Sequence, residues 1–273
     1  MAAINIPPQP VPNMKHEYEV RLLLDSAAVL NSNNEPIDTV LSAFKMPLTA
    51  TKINIQFLDK SSLDLYIAGW SARIRKNENK KDLELTYKKR YTISDGNIDA
   101  ALDVANINGF NADNKKYEAQ VEWGLMNKTL SIGLKKDVEY RNNGTDLPET
   151  EKARNLLIDE APDKFDNSNG ITWGTNILKE SRIFGPTLYK RFIGSWNEIP
   201  LYLEVWPLLN STRTVIEYFV EASFKTESRE KASVEKENLA GFLQSKGWFL
   251  ERELLKTQII MERYWNGKQQ LSL

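Results

Sequence analysis

The sequence predicts an α+β protein built around an antiparallel sheet that curls or closes on itself. About eight to ten segments alternate apolar and polar residues with the two-residue period of a β-strand. A few segments between them carry apolar residues at the spacing of an amphipathic helix. Several of the predicted strands also carry charged residues along one face. Long, alternating strands of this kind favour a curled or closed antiparallel sheet.

The first predicted strand, residues 15–25, contains the most informative pattern of the chain. Glu17, Glu19 and Arg21 share one face, because successive side chains of a strand point to opposite sides. The residues between them, Tyr18 and Val20, predict a core-facing side. The two acids and the base therefore lie either on a solvated face or in a polar interior.

The other elements follow from the same periodicities and from the turn residues between them. Further strands are predicted at 53–59, 70–75, 83–91, 117–123, 129–134, 182–184, 188–193, 201–206 and 215–225. Helices are predicted at 98–106, 148–165 and 231–246, with one or two helical turns at 63–69 and a last helix, or a helix plus a strand, at 250–264. The proline-rich residues 1–14 predict a flexible arm, and residues 15–273 a single domain.

Composition excludes several classes of function. The formal charge of −1 gives no global basic field, so nucleic-acid binding through net charge is not expected. Cysteine is absent, which excludes disulfides and thiolate metal sites. His16, the single histidine, lies at the edge of the first predicted strand and is not expected to be catalytic. No apolar run reaches the ~20 residues of a membrane span, and residues 1–13 lack the features of a signal peptide. We expect a cytoplasmic protein.

Four further strands repeat the charged face of the first. Their polar sides carry Arg73 and Arg75; Glu84, Thr86, Lys88 and Arg90; Glu118, Gln120 and Glu122; and Glu217, Phe219, Glu221, Ser223 and Lys225. One interpretation is a sheet packed on one side and solvated on the other. The alternative is a closed sheet whose polar faces line a tunnel. Because buried ions lose hydration, such a tunnel needs a ligand: phosphate for the basic residues, and Mg²⁺ or Mn²⁺ for the glutamates.

The order of these motifs resembles that of the CYTH superfamily, the triphosphate tunnel metalloenzymes. Residues 17–21 are similar to the opening Glu-x-Glu-x-Lys of the family, with arginine in the last place. The further similarities are residues 56–59 and 63–70 to "YFDT…L…G", 85–88 to "LTLK", the stretch from 117 to "R-x-E-x-E", and 219–223 to "FVEIE". The resemblance covers residues 15–265, with an insertion near 140–180.

The resemblance implies a fold and a set of site residues. The fold is a closed antiparallel eight-stranded barrel, or tunnel, with flanking helices. Glu17, Glu19 and Arg21 are the implied catalytic residues. The implied ligands of Mg²⁺ or Mn²⁺ are Glu17, Glu19 and Glu221, with Glu118 and Glu122 as further candidates. The implied phosphate contacts are Arg21, Arg73, Arg75, Lys88, Arg90, and either Arg191 or Lys190, since alternation lets only one of these two face inward.

Two departures from the family pattern bear on the activity. Arg21 replaces a lysine and stays protonated, so it can anchor charge but cannot act as a base. Ser223 stands where a second glutamate is usual, which removes one metal-binding charge. Both changes weaken the case for ordinary triphosphate hydrolysis without affecting the capture of a diphosphate.

Three hypotheses about function follow. The family default is Mg²⁺-dependent hydrolysis of a triphosphate carried by a small-molecule substrate. The first alternative is a terpene cyclase, which would ionise a prenyl diphosphate in the same barrel and release pyrophosphate; some of the seven tryptophans could form its apolar wall. The second alternative is a binder of polyphosphate or phosphorylated ligands without catalytic activity.

Overall fold

A computed structural model describes residues 11–141 and 144–264. The strands formed by these residues are β1 His16–Leu24, β2 Thr51–Asp59, β3 Trp70–Asn77, β4 Leu83–Thr92, β5 Glu118–Trp123, β6 Lys128–Val138, β7 Arg182–Trp196, β8 Ile199–Leu209 and β9 Ile216–Thr226. The α-helices are α1 Ser26–Val29, α2 Asp38–Ala43, α3 Asp64–Ile67, α4 Ile98–Ile107, α5 Thr150–Asp159, α6 Asp163–Asp166, α7 Trp173–Glu180, α8 Arg229–Ser245 and α9 Lys256–Arg263.

The strands close into a barrel in the order β1-β5-β6-β4-β3-β2-β7-β8-β9, with β9 returning to β1. This confirms the predicted closed barrel with flanking helices, but it corrects two details. The described chain has nine strands rather than eight, and β1 and β5 run parallel while every other neighbouring pair is antiparallel. A closed ring can alternate in direction throughout only if the number of strands is even, so nine strands require one parallel pair.

The larger hydrophobic core lies outside the barrel wall, between the strands and the helices. Val20, Tyr87 and Leu203 point outward from three strands and are fully buried, and Leu239 of α8 belongs to the same cluster. These residues are the apolar members of the alternation seen in the sequence, and the charged members consequently point inward. The expectation that the polar faces enclose a tunnel is confirmed by this arrangement.

Two helices illustrate how local sequence sets the boundaries. The Asn97 side chain accepts a hydrogen bond from the Ala100 backbone N–H at 3.0 Å and starts α4. The helix predicted at 148–165 is divided into α5 and α6, with Pro162 preceding the second. The residue before a proline avoids the helical region, which ends α5 ahead of Ala161.

The remaining differences concern segments between the strands. The strands predicted separately at 182–184 and 188–193 are one strand, β7, and helix α7 was not predicted. Helices α5 to α7 occupy the interval in which the resemblance implies an insertion. Residues 1–10 of the predicted arm lie outside the described residues, whereas Asn13 bonds Asp103 and Met14 is buried. Within the described part of the chain, no helix has the length and apolar character needed to cross a membrane.

Candidate functional site

The barrel encloses a cavity of about 410 Å³, a volume within the range of small-molecule sites. Every strand contributes at least one side chain to the wall, and residues around the start of α9 complete it. The lining side chains are mostly the polar or aromatic members of the strand alternation, whose apolar neighbours pack outside. The cavity is therefore a direct consequence of closing these strands with their charged faces inward.

The wall collects most of the residues singled out in the sequence. The predicted phosphate contacts on it are Arg21, Arg73, Arg75, Lys88, Arg90 and Arg191. The predicted metal or catalytic residues on it are Glu19, Arg21, Glu118, Glu122 and Glu221. Side chains from β1, β3, β4, β5, β7 and β9, far apart in sequence, are thereby brought to one volume.

Two predicted positions lie elsewhere. Glu17, the first residue of the opening motif, is outside the cavity lining and binds Lys225, a residue of the lining, so it sits at the rim. Lys190 points to the outer face of β7 and binds Glu35. The alternative left open by alternation is thus resolved in favour of Arg191 as the inward-facing residue.

A tight turn ahead of β3 fixes the direction of its two arginines. The Asp59 carboxylate accepts hydrogen bonds from the backbone N–H groups of Lys60, Leu65 and Tyr66 at 2.7, 3.0 and 2.9 Å. Gly69 then adopts a φ of +73°, and a Cβ there would lie 3.0 Å from a backbone oxygen of β4. Glycine adopts this left-handed conformation without strain. Strand β3 starts at the next residue, and every second side chain of the strand points into the barrel.

The cavity wall is strongly cationic. Its basic side chains are Arg21, Arg73, Arg75, Lys88, Arg90, Lys135, Arg191, Lys225 and Lys256. Its acidic side chains are Glu19, Glu118, Glu122, Glu204 and Glu221. Nine positive groups thus face five negative ones, although the chain as a whole is nearly neutral. The interior field therefore favours an anion.

Glu122 is an acid of the wall that binds two of its basic side chains. Its Oε2 lies 2.8 Å from Arg21 Nη2, and its Oε1 lies 2.8 Å from Lys88 Nζ and accepts a hydrogen bond from Ser131 at 2.6 Å. Burial acts to raise the pKa of Glu122, but Lys88 and Arg21 hold it well below its usual range. A metal ion at Glu122 would have to displace one of these partners.

Three buried donors on the wall have no hydrogen-bond partner among the described residues. They are Nε of Arg21, Nε of Arg73 and Nε2 of Gln120. Arg73 also forms no ion pair within the described ranges 11–141 and 144–264. Buried polar groups are almost always paired, because an unpaired donor or charge costs free energy. Donors left open on a cationic wall are suited to an anionic ligand.

Burial and neighbouring cations also lower the pKa of two basic residues of the wall. Burial and the neighbouring Arg90 and Arg73 lower the pKa of Lys88 to about 8, even though Glu122 acts in the opposite direction. Burial and Arg75 lower the pKa of Arg73 to about 10. Both shifts disfavour the charged forms, and a bound anion would reverse them.

A second ion-pair cluster was not predicted from the sequence. Glu204 and Glu221 face each other across β8 and β9, and Lys256 Nζ lies 2.6 Å from Glu204 Oε2 and 2.8 Å from Glu221 Oε1. Arg191 Nη2 lies 2.6 Å from Glu204 Oε1, and Trp206 Nε1 donates to Oε2 at 2.9 Å. Burial acts to raise the pKa of both carboxyls; Lys256 and Arg191 lower that of Glu204, whereas that of Glu221 remains raised.

The two missed residues differ in how far the sequence could reveal them. Tyr202, Glu204 and Trp206 alternate with apolar residues in β8, so the strand pattern carried a signal for Glu204. Lys256 starts a short helix after a segment without regular structure. No periodicity marks it as an inward-facing residue.

One side of the cavity is apolar. Its residues are Ile55 and Phe57 of β2, Tyr189 of β7, Trp206 of β8, and Leu255 and Ile260 of the C-terminal segment. The rings of Tyr189 and Trp206 stack with centroids 3.8 Å apart and planes 11° apart. All of these residues except the exposed Leu255 belong, with further residues of α9, to a second buried hydrophobic cluster. A ligand in the cavity can therefore place a charged group against the basic residues and an apolar group against this side.

The predicted metal ligands are distributed over the wall. Glu19 is the register partner of Glu122 on β5 and of Lys225 on β9, whereas Glu221 pairs with Leu23. Glu19 and Glu221 are therefore offset by four positions along the strand direction, which corresponds to about 13 Å. No group of three histidine, cysteine, aspartate or glutamate residues within the described chain is placed to hold one metal ion.

The donor chemistry nevertheless suits Mg²⁺ bound together with a substrate. Mg²⁺ prefers oxygen ligands and is usually held by one or two carboxylates plus substrate phosphates, not by a complete protein cage. Glu19 lines the cavity and has no hydrogen bond or ion pair within the described residues, so its carboxylate is available. A site made by Glu19 and phosphate oxygens fits the residues present.

Comparisons with known proteins give the fold. No family model matches the chain, and no curated protein matches it in sequence. HpAC1 from Hippeastrum, a candidate adenylyl cyclase described as having a dominant triphosphatase activity, is similar with a TM-score of 0.50 and 14% identity over 89% of this chain and 93% of that one. A candidate adenylate cyclase from Bacillus halodurans has a TM-score of 0.49 and 12% identity over 89% and 96% of the two chains.

At this level of identity the likeness to HpAC1 concerns the fold alone. The resemblance to the CYTH superfamily noted in the sequence is confirmed at the level of the fold, which the chain shares with HpAC1.

Proposed function

We propose that the protein is an Mg²⁺-dependent enzyme that binds the di- or triphosphate group of a small-molecule substrate inside the barrel and cleaves it, with triphosphate hydrolysis as the default reaction. The observation that carries the proposal is the set of unpartnered donors of Arg21, Arg73 and Gln120 on a wall with excess positive charge. A polyphosphate supplies several acceptor oxygens and several negative charges in one ligand, which matches both deficits.

The basic residues would bind and orient the phosphate chain. Arg73 and Arg75 approach from β3, and Lys88 and Arg90 from β4. Guanidinium groups bind phosphate through paired N–H donors and stabilise charge that develops on its oxygens. Arg21 remains protonated, since the carboxylates of Glu122, Glu221 and Glu19 outweigh burial and raise its pKa. It therefore serves as an anchor and not as a base.

Lys88 is suited to a different task. With a pKa of about 8, its Nζ exchanges a proton near neutral pH more readily than the arginines around it. A bound phosphate raises this pKa again, so Lys88 is protonated in the complex and can donate its proton to an oxygen of the leaving phosphate. Mg²⁺ held at Glu19 would supply charge neutralisation on the phosphate oxygens and the leaving group. A water molecule in the cavity would attack the phosphorus, the bond to the leaving phosphate oxygen would break, and the proton released by the water would pass to solvent.

A second candidate is the ionisation of a prenyl diphosphate, and the apolar side of the cavity favours it. In this reaction the bond between carbon and the diphosphate oxygen breaks, the electron pair leaves with pyrophosphate, and the allylic cation that remains loses a proton to the released pyrophosphate. Phe57, Ile260 and the Tyr189–Trp206 stack would contact the hydrocarbon. Aromatic faces stabilise nearby cations.

One set of incubations distinguishes these functions. Purified protein with Mg²⁺ would receive tripolyphosphate, nucleoside triphosphates, thiamine triphosphate or prenyl diphosphates. Orthophosphate from the triphosphates supports hydrolysis, and pyrophosphate with a volatile hydrocarbon supports cyclisation. Tight binding without any product supports the non-catalytic binder and contradicts the enzyme proposal.

The metal requirement needs its own pair of variants. Glu19→Gln removes the lining carboxylate that has no partner, and we expect it to abolish Mg²⁺-dependent turnover. Glu17→Gln on the same strand removes the rim carboxylate and serves as the comparison. Full activity in Glu19→Gln would exclude the proposed metal position.

A further inference from the structure

The start of α9 places a lysine between two carboxylates of the barrel wall. Lys256 Nζ lies 2.6 Å from Glu204 and 2.8 Å from Glu221, which are opposite each other on β8 and β9. The side chains of Glu204 and Glu221 are only 7% and 5% exposed. The ammonium also lies 4.6 Å from the centroid of the Trp206 ring. A positive charge is thus held at the point where the two carboxylates converge.

Glu221 depends on this lysine more than Glu204 does. Glu204 also has Arg191 and the Trp206 N–H as partners. Among the described residues, Glu221 has one ion-pair partner, Lys256. Two buried carboxylates without a cation between them repel each other, so removal of Lys256 requires either protonation of one carboxyl or the entry of another cation.

We propose that Lys256 acts as a tethered cation which competes with a divalent metal ion for the Glu204–Glu221 pair. The pair binds Mg²⁺ or Mn²⁺ when the ammonium moves away and is closed to metal when the ammonium is in place. Lys256 follows residues 250–255, which have no helix or strand, so the ammonium is supplied by a segment outside the barrel strands. Metal occupancy at Glu221 is thereby coupled to the position of the C-terminal segment.

The contacts of the neighbouring Thr257 extend the coupling to the phosphate side. Thr257 Oγ1 accepts a hydrogen bond from Arg90 Nη2 at 3.3 Å. An anion that binds the Arg90 guanidinium would break its hydrogen bond to Thr257. Lys256 lines the same cavity, and its ammonium would then turn toward the anion. This last step rests on the proposed function, whereas the competition between Lys256 and metal does not.

The test measures Mn²⁺ binding to the full-length protein without any phosphate substrate, by electron paramagnetic resonance of the free ion and by calorimetry. Lys256→Met and Lys256→Gln should bind Mn²⁺ at least about tenfold more tightly than the wild type, because an opposing charge has been removed from the site. Lys231→Met, an exposed lysine of α8, should not change the affinity. The double variant Lys256→Met/Glu221→Gln should lose the gain.

Equal Mn²⁺ affinity in the wild type and in a folded Lys256 variant would overturn the proposal. A gain that persists in the double variant would overturn it as well, because the metal would then be bound elsewhere. Circular dichroism establishes that each variant is folded, and Lys256→Gln provides a polar replacement if methionine perturbs the cavity. Since no substrate is present, the outcome is independent of whether the protein hydrolyses triphosphates.

Discussion

Lys190 and Arg191 are neighbours in sequence and lie on opposite sides of the barrel wall. Lys190 binds Glu35 on the outer face, whereas Arg191 Nη2 lies 2.6 Å from Glu204 Oε1 in the cavity. Two consecutive residues of β7 thus carry the same charge, one in an ion pair on the outer face and one in the cavity. The pair provides a matched comparison for the proposed anion site.

We expect Arg191→Gln to weaken tripolyphosphate binding by about tenfold or more, because a charge-assisted contact is lost from the cavity. Lys190→Gln removes the same charge from the outer face and should leave the affinity within about twofold. Calorimetry at fixed ionic strength measures both. Equal losses in the two variants would indicate a general charge effect and not a site inside the barrel.

Arg73 gives a prediction in which stability and binding change in opposite directions. Its Nε is buried without a partner, and burial with Arg75 lowers its pKa to about 10. Arg73→Met removes a half-buried cation that has no ion-pair partner among the described residues, so we expect the melting temperature of the ligand-free protein to stay constant or rise, by about 2–4 °C per kcal/mol gained. Tripolyphosphate binding should fall by at least about tenfold.

Differential scanning fluorimetry in a phosphate-free buffer and calorimetry test the two halves separately. Arg75→Met is the control on the same strand: its guanidinium is paired with Glu84, so this variant should lower the melting temperature. A marked loss of stability in Arg73→Met would mean that Arg73 is a structural cation with a partner of its own.

The inward faces of the strands were predictable from the sequence because they depend on alternation alone. Arg73 and Arg75, Lys88 and Arg90, and Glu122 all line the cavity in the structure, and each follows from a period of two. The break of the helix at Pro162 was also encoded, since a proline restricts the residue before it. Local rules of this kind need no knowledge of the closed barrel.

Other features depend on how the whole chain closes. The parallel pairing of β1 with β5 is set by the number of strands in the ring, which local patterns do not determine. Lys256 is 52 residues from Glu204 in sequence and reaches it only because α9 packs against β7 and β8. The position of Glu17 at the rim likewise depends on where the cavity ends, although its alternation matches that of Glu19.

Two glutamates of β5 provide a test of the ion-pair network. Glu122 is 4% exposed and binds both Arg21 and Lys88, whereas the Glu118 side chain is 67% exposed and binds Lys135. Glu122→Gln should reduce the free energy of unfolding by about 3 kcal/mol, because two buried cations lose a shared partner. Glu118→Gln should change it by less than about 1 kcal/mol. Urea denaturation followed by tryptophan fluorescence measures both values.

The shifted pKa of Lys88 predicts a pH dependence of anion binding. In the free protein burial and the nearby arginines lower this pKa to about 8, and a bound anion favours the protonated form and raises it. Affinity should therefore be constant below pH 8 and fall as the pH rises above it, by up to about tenfold per unit. Sulfate is the appropriate probe, because its own charge does not change in this range.

The titration is measured by calorimetry between pH 6.5 and 9.5 in the presence of a chelator, so that metal binding does not contribute. Lys88→Gln should bind sulfate more weakly at neutral pH and show a flat profile, because the titrating group has been removed. The outward-facing neighbour Lys89 contacts the Ala68 carbonyl and the Trp70 ring, and Lys89→Gln should retain the wild-type slope. A slope that survives in Lys88→Gln would assign the titration to another group of the wall.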